Sequence, residues 1–263
     1  MVKFAKVLSG KVNLTNSTIL RIGPSPESAP FANVNSIIIS TFLLISHFEN
    51  SYEEQIAEAF ETQNSIQKLF KKRIKLLNGD YEVCSSVIFP ELIRYSTLKK
   101  TFENYFLLKL YAHFGKEYGD FSVGLFQMKP TFIEKLEKDL KSYSELHRLS
   151  FIWQYPEGIN QSEIRKIRSE RMIDLKWQID YIISFILLLD HFYEKSKVFS
   201  KKQTKEEKII IYSTSYNSGC WYDFDKVIQL SSLNYFPYGK YSFRNHINYS
   251  QVSSYYYRKM FKS

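Results

Sequence analysis

Cysteine is scarce in this chain, with Cys84 and Cys220 the only two in 263 residues. Two thiols exclude a disulfide scaffold and any cysteine-rich zinc site. They could form one bridge in an oxidising compartment, but with 136 positions separating them the reading taken is free buried thiols. Histidine is almost as thin: His47, His113, His147, His191 and His246 are scattered without HExxH or another ligand spacing, so no metal and no cofactor is expected. Nine glycines and seven prolines are too few for the many tight turns of an all-β fold. Negative charge is also short. Lys and Arg exceed Asp and Glu by nine, which implies attraction to an anionic partner such as nucleic acid, a membrane surface or a cell-wall polymer.

No run is long enough for an ordinary membrane span. The eleven uncharged residues SIIISTFLLIS at 36–46 have the length of a signal-peptide core. Lys3, Lys6, Lys11 and Arg21 precede them with Glu27 as the single acid, but over a flank of some 35 residues and with no small-x-small cleavage site after it. Two readings stay open: a signal or anchor segment, which would bring membrane association and export, or a buried element of the fold. Residues 1–48 are taken as an N-terminal extension and 49–263 as the folded domain.

What the chain has in quantity is apolar and aromatic mass, 44% and 17% of its residues, enough for one large core. The fold class expected is mainly α. Apolar spacing predicts an amphipathic helix over 52–77 with a break near Asn64, ended by NGD at 78–80. It predicts another over 98–114, with Phe102, Phe106, Leu110 and Phe114 on the buried stripe and Gly115 as its cap. Capping boxes pair Thr131 with Glu134, Asn160 with Glu163 and Thr204 with Glu207. The second of these opens a long helix over 161–195 whose apolar half makes it a central core helix. Between Gly115 and Pro130 the glycines and alternating aromatics of KEYGDFSVGLFQM suit a small β-hairpin or ordered loop near 117–128. The tyrosine-rich end is expected to wrap the helical body.

Glu91 stands alone in VIFPELIRYS, with no neighbouring acid. Pro90 places it either in the first turn of a helix or at a kink. In order, the chain offers this apolar segment with Glu91, then GLFQM at 124–128, then a helix after Pro130, then a helix ending in TSYNSG at 214–219. That order resembles the lytic transglycosylase and goose-type lysozyme superfamily, as a divergent bacterial branch. Members show a catalytic Glu, a GLMQ-like turn followed by Pro, and an AYNAG-like helix end. The resemblance covers roughly residues 82–220 and departs from the pattern at Leu92, where Ser is usual, and in the 33 positions between Glu91 and Gly124.

The resemblance implies a lysozyme-like helical domain that cleaves peptidoglycan glycan strands in the periplasm or cell envelope. Glu91 would protonate the glycosidic oxygen, which requires a raised pKa, and apolar neighbours such as Phe89, Leu92 and Phe126 suit that need. Asp120 would be the second carboxylate of a hydrolase, with Glu103 as another candidate; a turn residue capping its own loop is the alternative for Asp120. Carried over onto this chain, Gln127 would hydrogen-bond an N-acetyl group, Ser122 would contact the substrate, and Tyr216 and Asn217 would orient Glu91 or the sugar. The late tyrosine of the superfamily falls on Tyr255 or Tyr256, of which Tyr256 is taken as the site residue. Arg94 is expected to pair with an acid of the fold, with contact to the peptide stem of the glycan as the alternative. A catalytically degenerate module that binds glycan or a protein is the competing reading. A nucleic-acid role would use KKRIK at 71–75 and RKIRSER at 165–171, but no recognition motif accompanies them and none is expected. The oligomeric state is not legible.

Overall fold

The computed structural model describes residues 45–98, 104–196, 204–238 and 247–262, which form a mainly helical body. The α-helices are α1 (Glu53–Leu77), α2 (Tyr81–Leu98), α3 (Asn104–Phe114), α4 (Pro130–Lys141), α5 (Gln161–Ile173), α6 (Leu175–Ser196), α7 (Lys205–Ser218), α8 (Phe224–Ser231) and α9 (Tyr249–Phe261). β pairing among the described residues is confined to two isolated bridges. Residues 36–44 of the candidate signal segment, together with Phe102, Glu103 and His246, lie outside the described residues.

α6 is apolar on nearly all sides and is correspondingly buried, with Ile179, Ile182, Phe185, Ile186 and Leu189 all fully enclosed. Its two internal acids are satisfied by neighbouring helices. Asp180 takes a two-pronged contact from Arg73 of α1 (2.6 and 2.7 Å), and Asp190 accepts from the Tyr212 hydroxyl of α7 (2.7 Å). The long helix expected over 161–195 is in fact two. Asp174 leaves helical geometry (ψ 122) and its carboxylate accepts from Trp177 N (2.9 Å), which caps α6 as a new helix.

Other boundaries differ from expectation for equally local reasons. α1 runs unbroken through Asn64, since Gln63 and Ile66 both face the core. α3 is rotated relative to its expected stripe: Phe106 and Phe114 are 66% and 62% exposed, while Leu108 and Tyr111 are buried. The rotation follows from Tyr111, whose hydroxyl donates to Glu134 (2.8 Å) and accepts from Arg168 (2.6 Å). Because Glu134 is engaged there, the Thr131 and Glu134 box does not form. Instead α4 opens on Pro130, and Asp120, from the preceding loop, accepts from both Thr131 N (3.0 Å) and Thr131 Oγ1 (2.6 Å). The boxes at Asn160 and Thr204 do form, as does a third at Asn248 with Gln251. This last one opens α9, so the C-terminal segment enters the core rather than wrapping it. α9 packs on α2 and α7, with Tyr256 stacked on Phe89 at 4.3 Å.

The expected hairpin is a four-residue loop closed by Val123 and Met128, which exchange both backbone hydrogen bonds (2.8 and 3.0 Å). Gly124 (φ 71) and Gln127 (φ 49) take left-handed backbone at its two ends. α6 holds the loop from below, with Gln178 Oε1 accepting from Phe126 N at 2.9 Å. That contact leaves no room at Gly124, where a Cβ would come within 2.4 Å of the Gln178 side chain. Gly124→Ala therefore combines a strained φ with a clash, and it is expected to lower stability by about 1–3 kcal/mol in urea unfolding. An unchanged midpoint would show that the loop does not sit against Gln178.

Candidate functional site

Glu91 lies well inside α2, whose N-terminus is fixed by Asp80 accepting from Val83 N at 3.1 Å. The first-turn placement is thereby excluded, and so is the helix-dipole effect that would have favoured its ionised form. Pro90, interior to the same helix, has no N–H and leaves the Ser86 carbonyl without its usual intrahelical donor. The Glu91 side chain is 3% exposed.

Among the described residues one cation is hydrogen-bonded to it. Arg94, one turn on, donates through Nη1 to both Glu91 oxygens (2.9 and 3.2 Å). The guanidinium is itself held by Asn217 Oδ1 (3.2 and 3.3 Å) and Pro237 O (3.1 Å), and it lies over the rings of Phe236 and Tyr249 (5.4 Å each). The Tyr249 hydroxyl donates to Val87 O (3.1 Å) and also faces the carboxyl. Burial and these donors oppose each other: loss of solvent raises the Glu91 pKa, while Arg94, Tyr249 and the more distant Lys129 lower it. Burial is the larger, so the carboxyl is held above the ordinary glutamate value.

A cavity of ≈ 350 Å³ opens beside this pair, within the size range of small-ligand sites. Glu91, Asp120, Ser122, Gln127, Tyr216 and Asn217 all line it, so six of the seven site residues read from the sequence meet in one place. Their positions follow from separate elements. Asp120 and Ser122 precede the hairpin, and Asp120 caps α4 through Oδ1, which is a capping role directed at a helix rather than at its own loop. Gln127 closes the hairpin, its Nε2 donating to Gly124 O (2.8 Å). Tyr216, at the end of α7, packs on Phe132 and donates to Phe126 O (2.7 Å), tying the hairpin to that helix end. Asn217 reaches Glu91 only through Arg94. Tyr256 is elsewhere: it is fully buried between Phe89 and Phe60, away from the cavity lining.

The remaining walls come from residues that sequence reasoning did not place in the site. Arg94 was legible as a neighbour of Glu91 from its three-residue helical spacing. Lys129, Lys135, Phe132 and Trp221 carry no such signal, since only the tertiary fold brings them to Glu91. Among the described residues no group of three or more His, Cys, Asp or Glu side chains could hold a metal ion, and no helix is long and apolar enough to cross a membrane. Both cysteines are free thiols. Several cations of the two basic runs are engaged within the fold. Arg73 pairs with Asp180, Arg168 with Glu137, and Arg171 lies over Trp177 at 4.1 Å. No protein-family model, curated protein or solved structure matches the chain.

The raised Glu91 pKa has a stability consequence. An acid that holds its proton more tightly when folded makes the native state bind more protons than the unfolded chain between the ordinary glutamate value and the folded pKa. Stability then falls as pH rises through that window. Glu91→Gln removes this slope. The Tm of the variant relative to the parent is expected to move in the variant's favour as pH rises above the ordinary glutamate pKa of about 4.3. A relative Tm that moves in favour of the parent over that range would mean that Arg94, not burial, dominates.

Proposed function

We propose that the chain is a peptidoglycan-cleaving enzyme of lytic transglycosylase type that acts outside the cytoplasm, with Glu91 as its general acid and base. The observation that carries the reading is one cavity lined by a buried carboxyl held above its usual pKa, a hairpin amide (Gln127) and a Tyr-Asn helix end. In the forward step the Glu91 proton goes to the glycosidic oxygen as the bond to the anomeric carbon breaks. The resulting carboxylate then takes the proton of the sugar's own 6-hydroxyl as that oxygen closes on the anomeric carbon. The product is an anhydro ring, and Glu91 ends protonated. Arg94 stabilises the carboxylate in the interval when it is charged, and Gln127 and Ser122 would hydrogen-bond the sugar.

A second reading rests on the Arg94 contact. A guanidinium bonded to both oxygens of Glu91 competes with the proton that catalysis requires. In this reading the domain binds cell-wall glycan without cutting it.

Incubation of the purified protein with peptidoglycan, followed by mass analysis of released fragments, separates the readings. Anhydro-ended fragments are expected from the parent, with release reduced at least ~100-fold in Glu91→Gln, the scale of losing a general acid. Reducing ends would indicate hydrolysis, with Asp120 as the base to test next. Binding without release would support the second reading, and equal release by parent and variant would remove Glu91 from the chemistry.

A further inference from the structure

The charges around the cavity are unequal. Arg94, Lys129 and Lys135 line it as cations against Asp120, with Glu91 adding a negative charge only when it has released its proton. Asp120 already accepts two hydrogen bonds from Thr131, and the Arg94 guanidinium is taken up by its hydrogen bonds to Glu91, Asn217 Oδ1 and Pro237 O. Lys129 and Lys135 are left, and no ion pair among the described residues takes either of them.

Lys135 is the more constrained. Its Nζ lies 3.5 Å from the centre of the Trp221 ring and donates one N–H to Gly219 O (2.8 Å), both residues being part of the cavity wall. The acid on the same helix face, Asp139, accepts from Trp221 Nε1 (3.0 Å). Burial disfavours the charged form of Lys135 and Asp139 favours it, with burial the larger influence. A half-buried ammonium with a neutral carbonyl and a ring face as partners is under-compensated. An anion entering the cavity would supply the missing partner, and Lys129 lines the same cavity.

We propose that Lys135, with Lys129 of the same cavity, forms a carboxylate subsite, so that the cavity takes an acidic glycan in preference to a neutral one of the same sugar backbone. This rests on the glycan reading above and specifies its substrate class. Two sources of carboxylate fit a cell-wall strand: the lactyl group of a sugar that carries no peptide, and, where a peptide is joined to it as an amide, the carboxyl groups of that peptide.

Calorimetric titration of the full chain at neutral pH with three probes tests this without requiring turnover. The probes are chitotetraose, a peptidoglycan tetrasaccharide stripped of peptide, and the same tetrasaccharide with its peptides. The stripped acidic saccharide is expected to bind about tenfold or more tighter than chitotetraose, the scale of one charge-assisted hydrogen bond. Lys135→Gln should abolish that margin and Lys135→Arg should keep it, while Lys129→Gln reduces it. A margin seen only with the peptide-bearing probe would assign the carboxylate to the stem rather than to the lactyl group. Equal affinity of the parent for all three probes would overturn the subsite and leave the glycan reading standing. A margin that survives in both glutamine variants would overturn its assignment to these lysines. Failure of every probe to bind would remove both the subsite and the glycan reading.

Discussion

The candidate site depends on the balance between burial and a single guanidinium at one carboxyl group. Glu91 is nearly enclosed, which penalises its charged form, and Arg94 sits one helical turn away, which favours it. Arg94 is only partly free to neutralise the acid, because Asn217 and Pro237 take hydrogen bonds from the same group and the Phe236 and Tyr249 rings flank it. The cation is thus fixed in place by residues from the far end of the chain. A carboxyl poised in this way can release a proton and still be stabilised once charged, which is what a group acting as acid and then base requires.

The rest of the fold keeps the other cavity residues opposite that pair. α6 is the common support: it carries Gln178, which grips the hairpin, and Phe185, which packs under Tyr216. α7 ends beside Arg94 because Gly219 takes left-handed backbone (φ 67) and closes it there. The Tyr216 hydroxyl then joins that helix end to the hairpin. The loop before α4 is fixed by Asp120, so the two sides of the cavity are each tied down by a side chain the cavity also exposes. Site residues that double as structural contacts make the geometry rigid, and this suits a site that orients its ligand by position.

Much of this was legible from local sequence because the signals were themselves local. The isolated Glu91, the Gly124-to-Gln127 loop and the Tyr216-Asn217 helix end were each marked by residue types that act within a few positions of themselves. What failed were inferences that needed tertiary partners. The outward face of α3 was misjudged because apolar spacing alone cannot see that a buried tyrosine hydroxyl, bonded to Arg168 and Glu134, sets the helix rotation. The Thr131 box was pre-empted by a carboxylate eleven residues upstream. The Asn248 box that opens α9 was present in the sequence but hidden in a run of aromatics read as a wrapping tail. Tyr256, placed in the site by resemblance, is a core aromatic, and Lys135 and Trp221 carried no sequence mark because helix packing alone brings them to the cavity.

The state of the Glu91 carboxyl is directly measurable. In protein labelled with ¹³C at the glutamate side-chain carboxyl and assigned by comparison with Glu91→Gln, the Glu91 resonance should titrate with a midpoint above the ordinary glutamate value of about 4.3. It should move higher still when Arg94 is replaced by methionine, since the opposing charge is gone. A midpoint at or below the ordinary value in the parent would contradict the account, because the site would then hold a fixed ion pair rather than a proton.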